Sequence, residues 1–436
     1  AARPLVSSLR GVASQRLAAR HRSTSAVSFL LEGDGATPVA AARRLAEAFP
    51  GEEPGVVLYL TRGTGPTAAA VGEAMAEHTG DALLLGVSAH AGVICDDQEV
   101  QLGDDTAPLS SIAVLALPQR VGVVRPFQAL NWEGVPPLGR GGSWVDLALD
   151  PDREVAPSCL LLADASILSH ADISIDQYLS FIDQRLAGSG AKSGKPHTVI
   201  GGLTLGGQSY VDGTVAKLKS CGLVFESTSV SALVAQGAEP YADEMEITGI
   251  AEGGVVTHLD GQPAIERITE ISEREDRPSG ELFLGLKVDD AAVDHSQLDR
   301  SGRPEYLIRK LIARTDSGAC VLMGGVSNDD VLEEGQTCKL HIFSRPSVLK
   351  QLREAAEADL QAHSGRPPDA AFIVCCGARG FNLFNASGVE AETLNEAWGD
   401  VPTIGFFAAG EFGPVGLRTF AHAYTNTVLA LRFPEA

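Results

Sequence analysis

One arrangement returns four times along this chain: a short apolar run, a helical pattern, then two more apolar runs, the first of them broken by glycine. Gly55 to Leu60, Pro66 to His78, Ala82 to Ser88 and Ser111 to Leu117 make the first copy, with Thr64 as the expected helix cap. Cys159 to Ala165, Ile173 to Leu186, His197 to Leu205 and Cys221 to Glu226 make the second. A fainter third copy reads as strand Leu282 to Val288, helix Pro304 to Arg314, strand Ala319 to Val326 and strand Cys338 to Phe343. The fourth is Ala371 to Cys376, Val389 to Trp398, Pro402 to Phe407 and Tyr424 to Leu431. Recurrence of this kind implies internal duplication. Unbroken apolar runs of about five to eight residues suit strands covered on both faces. The fold class expected is α/β: two domains built from four repeated β-α-β-β units, with layered sheets flanked by helices.

A chain of 436 residues is too long for one ordinary core, so two domains of similar size follow. The boundary is placed near Gly237 to Asp243, giving residues 29–238 and 239–436. Leu130 to Trp144, Gly188 to Pro196, Glu270 to Gly280 and Asp289 to Gly302 read as connectors, and Val255 to Leu259 with a helix at Pro263 to Ile268 as a joint. At 44% hydrophobic residues the chain is globular, and no run reaches the roughly 18–20 apolar residues that span a bilayer.

The net charge of −22 is unevenly spread. Residues 1 to 31 hold Arg3, Arg10, Arg16, Arg20 and Arg22 but no acid, and Leu5, Val6, Leu9, Val12 and Leu17 give them an apolar helical face. That composition fits an organellar transit peptide over residues 1–28, addressed to the mitochondrial matrix or a plastid; a basic tail is the plainer reading. The acidic remainder argues against nucleic acid as a partner. The seven cysteines form no C-x-x-C, and the histidines lack ligand spacing, so no disulfide framework, metal or cofactor is expected.

Function is sought where apolar runs stop on small or charged residues, because glycine lets a backbone approach a ligand. Cys375-Cys376-Gly377-Ala378-Arg379-Gly380 ends one such run and Gly405 to Gly413 another. Arg379 offers a fork suited to a carboxylate, and Glu411 could receive an amine. Two arrangements stay open: both residues line a shared hollow, or they pair with each other. Cys375 and Cys376 alternate across their strand, and a thiol nucleophile at Cys376 would need His422 or His90 as its base.

These residues resemble the FIST family (F-box and intracellular signal transduction) over about residues 27 to 436. The likeness is carried in the first half by Leu85-Gly86-Val87-Ser88-Ala89-His90-Ala91-Gly92-Val93-Ile94 and Val199-Ile200-Gly201-Gly202. Gln236-Gly237 and Leu259-Asp260-Gly261-Gln262-Pro263-Ala264 resemble its inter-module link. The second half matches through Cys376-Gly377-Ala378-Arg379-Gly380, Gly405-Phe406-Phe407, Gly410-Glu411-Phe412-Gly413 and Thr425. The resemblance implies a sensory or adaptor module that binds small molecules, in a stand-alone form without an F-box or output segment. The function expected is binding of an amino-acid-like or organic anion by Cys376, Arg379, Gly380, Gly405, Gly410, Glu411 and Thr425, with no catalysis. An adaptor that uses the same cleft for a protein partner is the second expectation, and a thiol enzyme the third.

Overall fold

The computed structural model describes residues 25–50, 53–148, 156–170, 172–187, 197–275, 277–288, 304–314, 319–323 and 332–434. Residues 1–24 of the expected transit peptide, the connectors 188–196 and 289–302, and Gly324-Gly325 lie outside them.

Unit one runs β1 (Val27–Glu32), α1 (Pro38–Ala48), β2 (Pro54–Gly63), α2 (Ala68–Ala76), β3 (Leu83–Ser88), the hairpin β4 (Gly92–Cys95) and β5 (Gln98–Gln101), and β6 (Ser110–Pro118). Unit two repeats the order with β7 (Val124–Ala129), α3 (Trp144–Ala148), β8 (Ser158–Asp164), α4 (Ile175–Ala187), β9 (Thr198–Thr204), the hairpin β10 (Gln208–Val211) and β11 (Thr214–Lys217), and β12 (Ser220–Phe225). The helices start where local chemistry allows. Thr37 caps α1 with Pro38 in its first turn, and Thr67, three residues after the expected Thr64, caps α2.

Unit three opens with β13 (Ser229–Ala235) and is then interrupted by β14 (Ala238–Pro240), β15 (Met245–Ala251), β16 (Val255–Leu259), β17 (Gln262–Pro263), α5 (Ala264–Ser272), β18 (Glu281–Lys287), β19 (Tyr306–Arg314), β20 (Ala319–Met323) and β21 (Thr337–Phe343). It resumes with α6 (Arg345–Ala362), β22 (Ala370–Cys376), α7 (Phe381–Phe384), α8 (Val389–Trp398), β23 (Thr403–Ala408), the hairpin β24 (Glu411–Val415) and β25 (Arg418–His422), and β26 (Asn426–Arg432).

The fold is mixed α/β with layered sheets, and its third expected repeat is different. Pro304 to Arg314 is not a helix: Tyr306–Arg314 is β19, paired antiparallel with β18 and β20. Leu307, Ile308 and Leu311 have the spacing of a helical face, and short apolar runs do not separate helix from strand. From β21 through β15, β16, β20, β19 and β18 the pairing returns to β21, closing a barrel around Met245, Ile247, Val256, Leu284, Leu286 and Leu340.

The three true repeats exchange hairpins. Sheet one has the order β1-β6-β2-β3-β10-β11, sheet two β7-β12-β8-β9-β24-β25 and sheet three β13-β26-β22-β23-β4-β5. Each unit builds four strands of its own sheet and lends its hairpin to another: one to three, three to two, two to one. The inner faces share one apolar core that includes Leu60, Leu85, Leu162, Ile200, Val374 and Phe406. The outer faces are covered separately by α1 and α2, by α3 and α4, and by α6 and α8. This is a three-sided prism with a pseudo-threefold axis. Gly86, Gly201 and Gly405 hold equivalent places in it. A Cβ on Gly405 would lie 2.1 Å from the Ile373 carbonyl oxygen, so the close approach of β23 to β22 requires glycine.

Candidate functional site

Strand alternation sorts the residues at the end of β22. Val374 points into the shared core and Cys375 into the cluster under α6 and α8, so Cys376 returns to the inner side. The two thiols therefore face opposite layers. Cys375 Sγ lies 2.8 Å from Glu390 Oε2 at the start of α8, and Asn426 Nδ2 donates to the same oxygen at 2.8 Å. Cys376 instead meets the carboxyl of Glu411.

Arg379 belongs to the outer layer. Its Nε donates to Glu390 Oε1 at 2.6 Å, and its Nη1 to the carbonyls of Ala235 at 2.8 Å and Tyr424 at 3.2 Å. Both charged groups of this pair are fully buried. Burial works against the guanidinium's charge, but Glu390 together with the Cys375 and Cys376 groups outweighs it and the pKa is raised. Arg379 thus pairs with Glu390, not with Glu411, because the turn through Gly377 and Ala378 carries it past the strand end toward α8. Gly380 follows at φ 56°, and a Cβ there would lie 2.5 Å from the Phe407 ring. Gln101, on the hairpin lent by unit one, donates to the carbonyls of Gly377 at 2.9 Å and Arg379 at 3.1 Å, and accepts from Phe381 N at 2.7 Å.

Glu411 lies on the inner side, opposite Gly202 of β9. Oε2 accepts from Thr425 N at 3.1 Å; Oε1 is buried and makes no hydrogen bond among the described residues, the weakly donating Cys376 thiol being the side chain beside the carboxyl. Burial, above all, pushes this carboxyl well above the usual range, with Thr425 N–H and Arg379 opposing it. Burial and the Glu411 charge likewise push the Cys376 thiol up. Gly410 accepts from Leu203 N at 2.8 Å, fixing the crossing from β23 to β24. His422 does not serve Cys376. Its Nε2 sits 3.0 Å from Gly413 O, and burial lowers its pKa to about 3.

Pseudo-symmetry adds residues that the sequence reading passed over. Arg62, one residue before the end of β2, and Asp164, at the end of β8, hold the place that Cys376 holds at the end of β22; each follows an inward leucine or valine of the shared core by two residues. Thr204 occupies the corresponding end of β9. Thr61-Arg62-Gly63 carried the same signal as the stretch around Arg379, a buried strand stopping on arginine and glycine. Glu99 and Glu390 were missed because isolated acids in a hairpin and a helix start look solvated. Yet Glu99 Oε1 accepts from Glu390 N and Ala391 N, both at 3.2 Å, capping α8.

Among the described residues no His/Cys/Asp/Glu group is arranged to hold a metal ion, and no helix is long and apolar enough to cross a membrane. A surface groove of about 360 Å³ lies on the barrel, lined by Ile265, Ile268, Leu282 and Leu311 with Arg277 and Lys310; none of the strand-end residues lines it.

A family model described as FIST N domain matches residues 55–262, and one described as FIST C domain matches residues 264–414. An uncharacterized protein of Mycobacterium tuberculosis is 30% identical over 242 residues, covering 53% of this chain and 60% of that protein. An uncharacterized protein of Mycobacterium bovis is 30% identical over 237 residues, covering 53% of this chain and 59% of that protein. This chain therefore spans about three fifths of the length of these relatives. With both modules matched in order and their elements woven into one prism, the chain belongs to the FIST family of sensory domains used in signal transduction.

Proposed function

We propose that this protein is a small-molecule-binding sensory protein of an organelle, and that its ligand is amino-acid-like or an organic anion carrying an amine. One observation carries the reading: Glu411 is a fully buried carboxyl whose Oε1 has no partner among the described residues. Leaving such a group unsatisfied costs about 1–3 kcal/mol, which a ligand that reaches it recovers. Burial raises the pKa of this carboxyl, and an arriving ammonium would favour its charged form, since an opposite charge within reach does so. Cys376, Gly410 and Thr425 form the wall beside it. Gly405, Arg379 and Gly380 fix that wall from behind, with Arg379 offering only Nη2, its one unengaged nitrogen. The organellar address rests on the basic, acid-free N-terminal segment.

Titration calorimetry of the purified chain against the L-amino acids, in buffers of differing ionisation enthalpy, tests this. One proton should be released per ligand bound, and Glu411→Gln should remove that release and weaken binding at least about tenfold. Binding without proton release, or unchanged in Glu411→Gln, would refute the assignment; no binding by any amino acid or organic acid would refute the sensory reading itself.

A further inference from the structure

The ligand proposed above has two charged ends, and only one has been placed. Arg379 is a poor candidate for the other, because its charge is matched by Glu390 at 2.6 Å. Arg62 is in a different position. It is 9% exposed, its Nη1 donates to the carbonyl of Pro108, and its Nε is buried with no partner. No carboxylate lies within ion-pair distance of it among the described residues; Asp104 acts on it only at longer range. A buried, unmatched guanidinium is costly and calls for an anion.

Two unpartnered hydroxyls share this inner side, one of them on the neighbouring sheet. Ser111 is directly across from Arg62 in the β2–β6 pairing, and its Oγ is buried without a partner. Thr204 is 1% exposed and its Oγ1 is likewise unpartnered. Alternation places all three on the inner side: Leu60 precedes Arg62 by two residues, Ala113 follows Ser111 by two, and Ile200 precedes Thr204 by four, all in the shared core. Thr204 also shares the inner face of sheet two with Glu411, whose pairing partner Gly202 is two residues earlier on β9. Residues 205–207 then cross from the end of β9 to the end of β3, where Gln208 N donates to Ser88 Oγ at 3.4 Å. That crossing joins the ends of sheets one and two over the apolar core.

We infer that Arg62, with Thr204 and Ser111, binds the carboxylate of the same ligand whose ammonium meets Glu411, so that the FIST N module supplies the anion subsite and the FIST C module the amine subsite. This rests on the sensory reading above. It makes the ligand a bridge between units across the pseudo-threefold axis, and it makes specificity a demand for both charges at once. A primary amine without a carboxylate lacks the Arg62 contact; an organic acid without an amine leaves Glu411 unserved.

The test uses the full chain and measures thermal shift and affinity for L-amino acids, the amines lacking their carboxylate, and the 2-hydroxy acids lacking their amine. In the wild type only the amino acids should raise the melting temperature strongly. Arg62→Gln should reduce amino-acid affinity at least about fiftyfold, and amine affinity less than about twofold. Thr204→Val guards against a folding defect. Losing an unpartnered buried hydroxyl should raise the melting temperature of the free protein while weakening amino-acid binding about three- to tenfold, opposite signs that a structural role would not produce. Amino-acid affinity that survives Arg62→Gln, or Thr204→Val binding as tightly as wild type, overturns this inference while leaving the Glu411 reading standing. If no amino acid binds the wild type, both fall.

Discussion

Removing the Arg379 side chain tests the outer polar layer most directly. Arg379→Met deletes one charge-assisted bond to Glu390 at 2.6 Å and the bonds to the Ala235 and Tyr424 carbonyls. Glu390 then stays buried with Cys375 and Asn426 as side-chain hydrogen-bond partners and the Glu99 carboxyl nearby, none of them a cation. Removing one partner of a buried pair costs about 3–5 kcal/mol, chiefly because the remaining charge is stranded. A second change isolates that component. Glu390→Gln keeps an acceptor for Asn426 and removes the stranded charge, so Arg379→Met with Glu390→Gln should be more stable than Arg379→Met alone by about 2 kcal/mol. Urea unfolding followed by far-ultraviolet dichroism and by tryptophan fluorescence measures both, and Trp398 lies beside α6 close to the change, its Nε1 donating to Ala356 O at 3.1 Å. A loss below about 1 kcal/mol in Arg379→Met, or a double variant as unstable as the sum of the singles, would refute the claim that Arg379 is a structural counter-charge.

Glu99 gives a pH dependence of defined sign. Burial first, and Glu390 second, push its carboxyl up to about 7 from an ordinary 4.5. The folded state therefore holds a proton that the unfolded state releases, and the contribution is full below about 4.5 and lost as pH rises through 7, on the order of 3 kcal/mol in all. Glu99→Gln should match wild type near pH 4.5 and exceed it near pH 8 by about 2–3 kcal/mol in urea titrations; equal stability across that range would contradict it. Fragments test the hairpin exchange. A chain ending at residue 262 leaves β9 without β24 and β4 without β23, so it should aggregate or bind a hydrophobic dye, and a monomeric, cooperatively melting fragment would contradict the exchange.

Much of this fold was legible. Val389 to Trp398 was read as the helix that α8 is, and the buried runs of units one, two and three fell within a few residues of their strands, because unbroken apolar runs and glycine breaks are local signals. The hairpin exchange was not legible: Gly92 to Gln101 carries nothing that says it pairs with β23, more than 300 residues away, instead of with its own β3. The barrel was misread for the opposite reason, that Leu307, Ile308 and Leu311 satisfy a helical and a strand pattern equally. At the site, the alternation of Cys375 and Cys376 was readable and is what the structure has. The partner of Arg379 was not, since Glu390 lies in a helix start where an acid is ordinarily a solvated dipole partner.

The exchange changes what the two family modules mean physically. Their boundary at residues 262 and 264 falls within β17, immediately before α5, in the barrel insertion. Yet sheet two depends on β24, where the C-module match ends, and on β25 just after it, and sheet three on β4, β5 and β13 from the N module. Neither module can complete its sheets alone, so the independent unit is the ring of three. Arg62, Asp164 and Cys376 hold equivalent places at the ends of the three central strands, one on each side of that ring. A ligand that touches two of them reads the packing of the units against one another, and cores packed at crystal-like density do not deform continuously. On the function proposed above, ligand occupancy would act on how tightly one lent hairpin seats on its host sheet. Glu99 and Gln101 tie the unit-one hairpin to the α8 start and to the Arg379 turn, so the seating of that hairpin and the packing of the outer layer are mechanically linked.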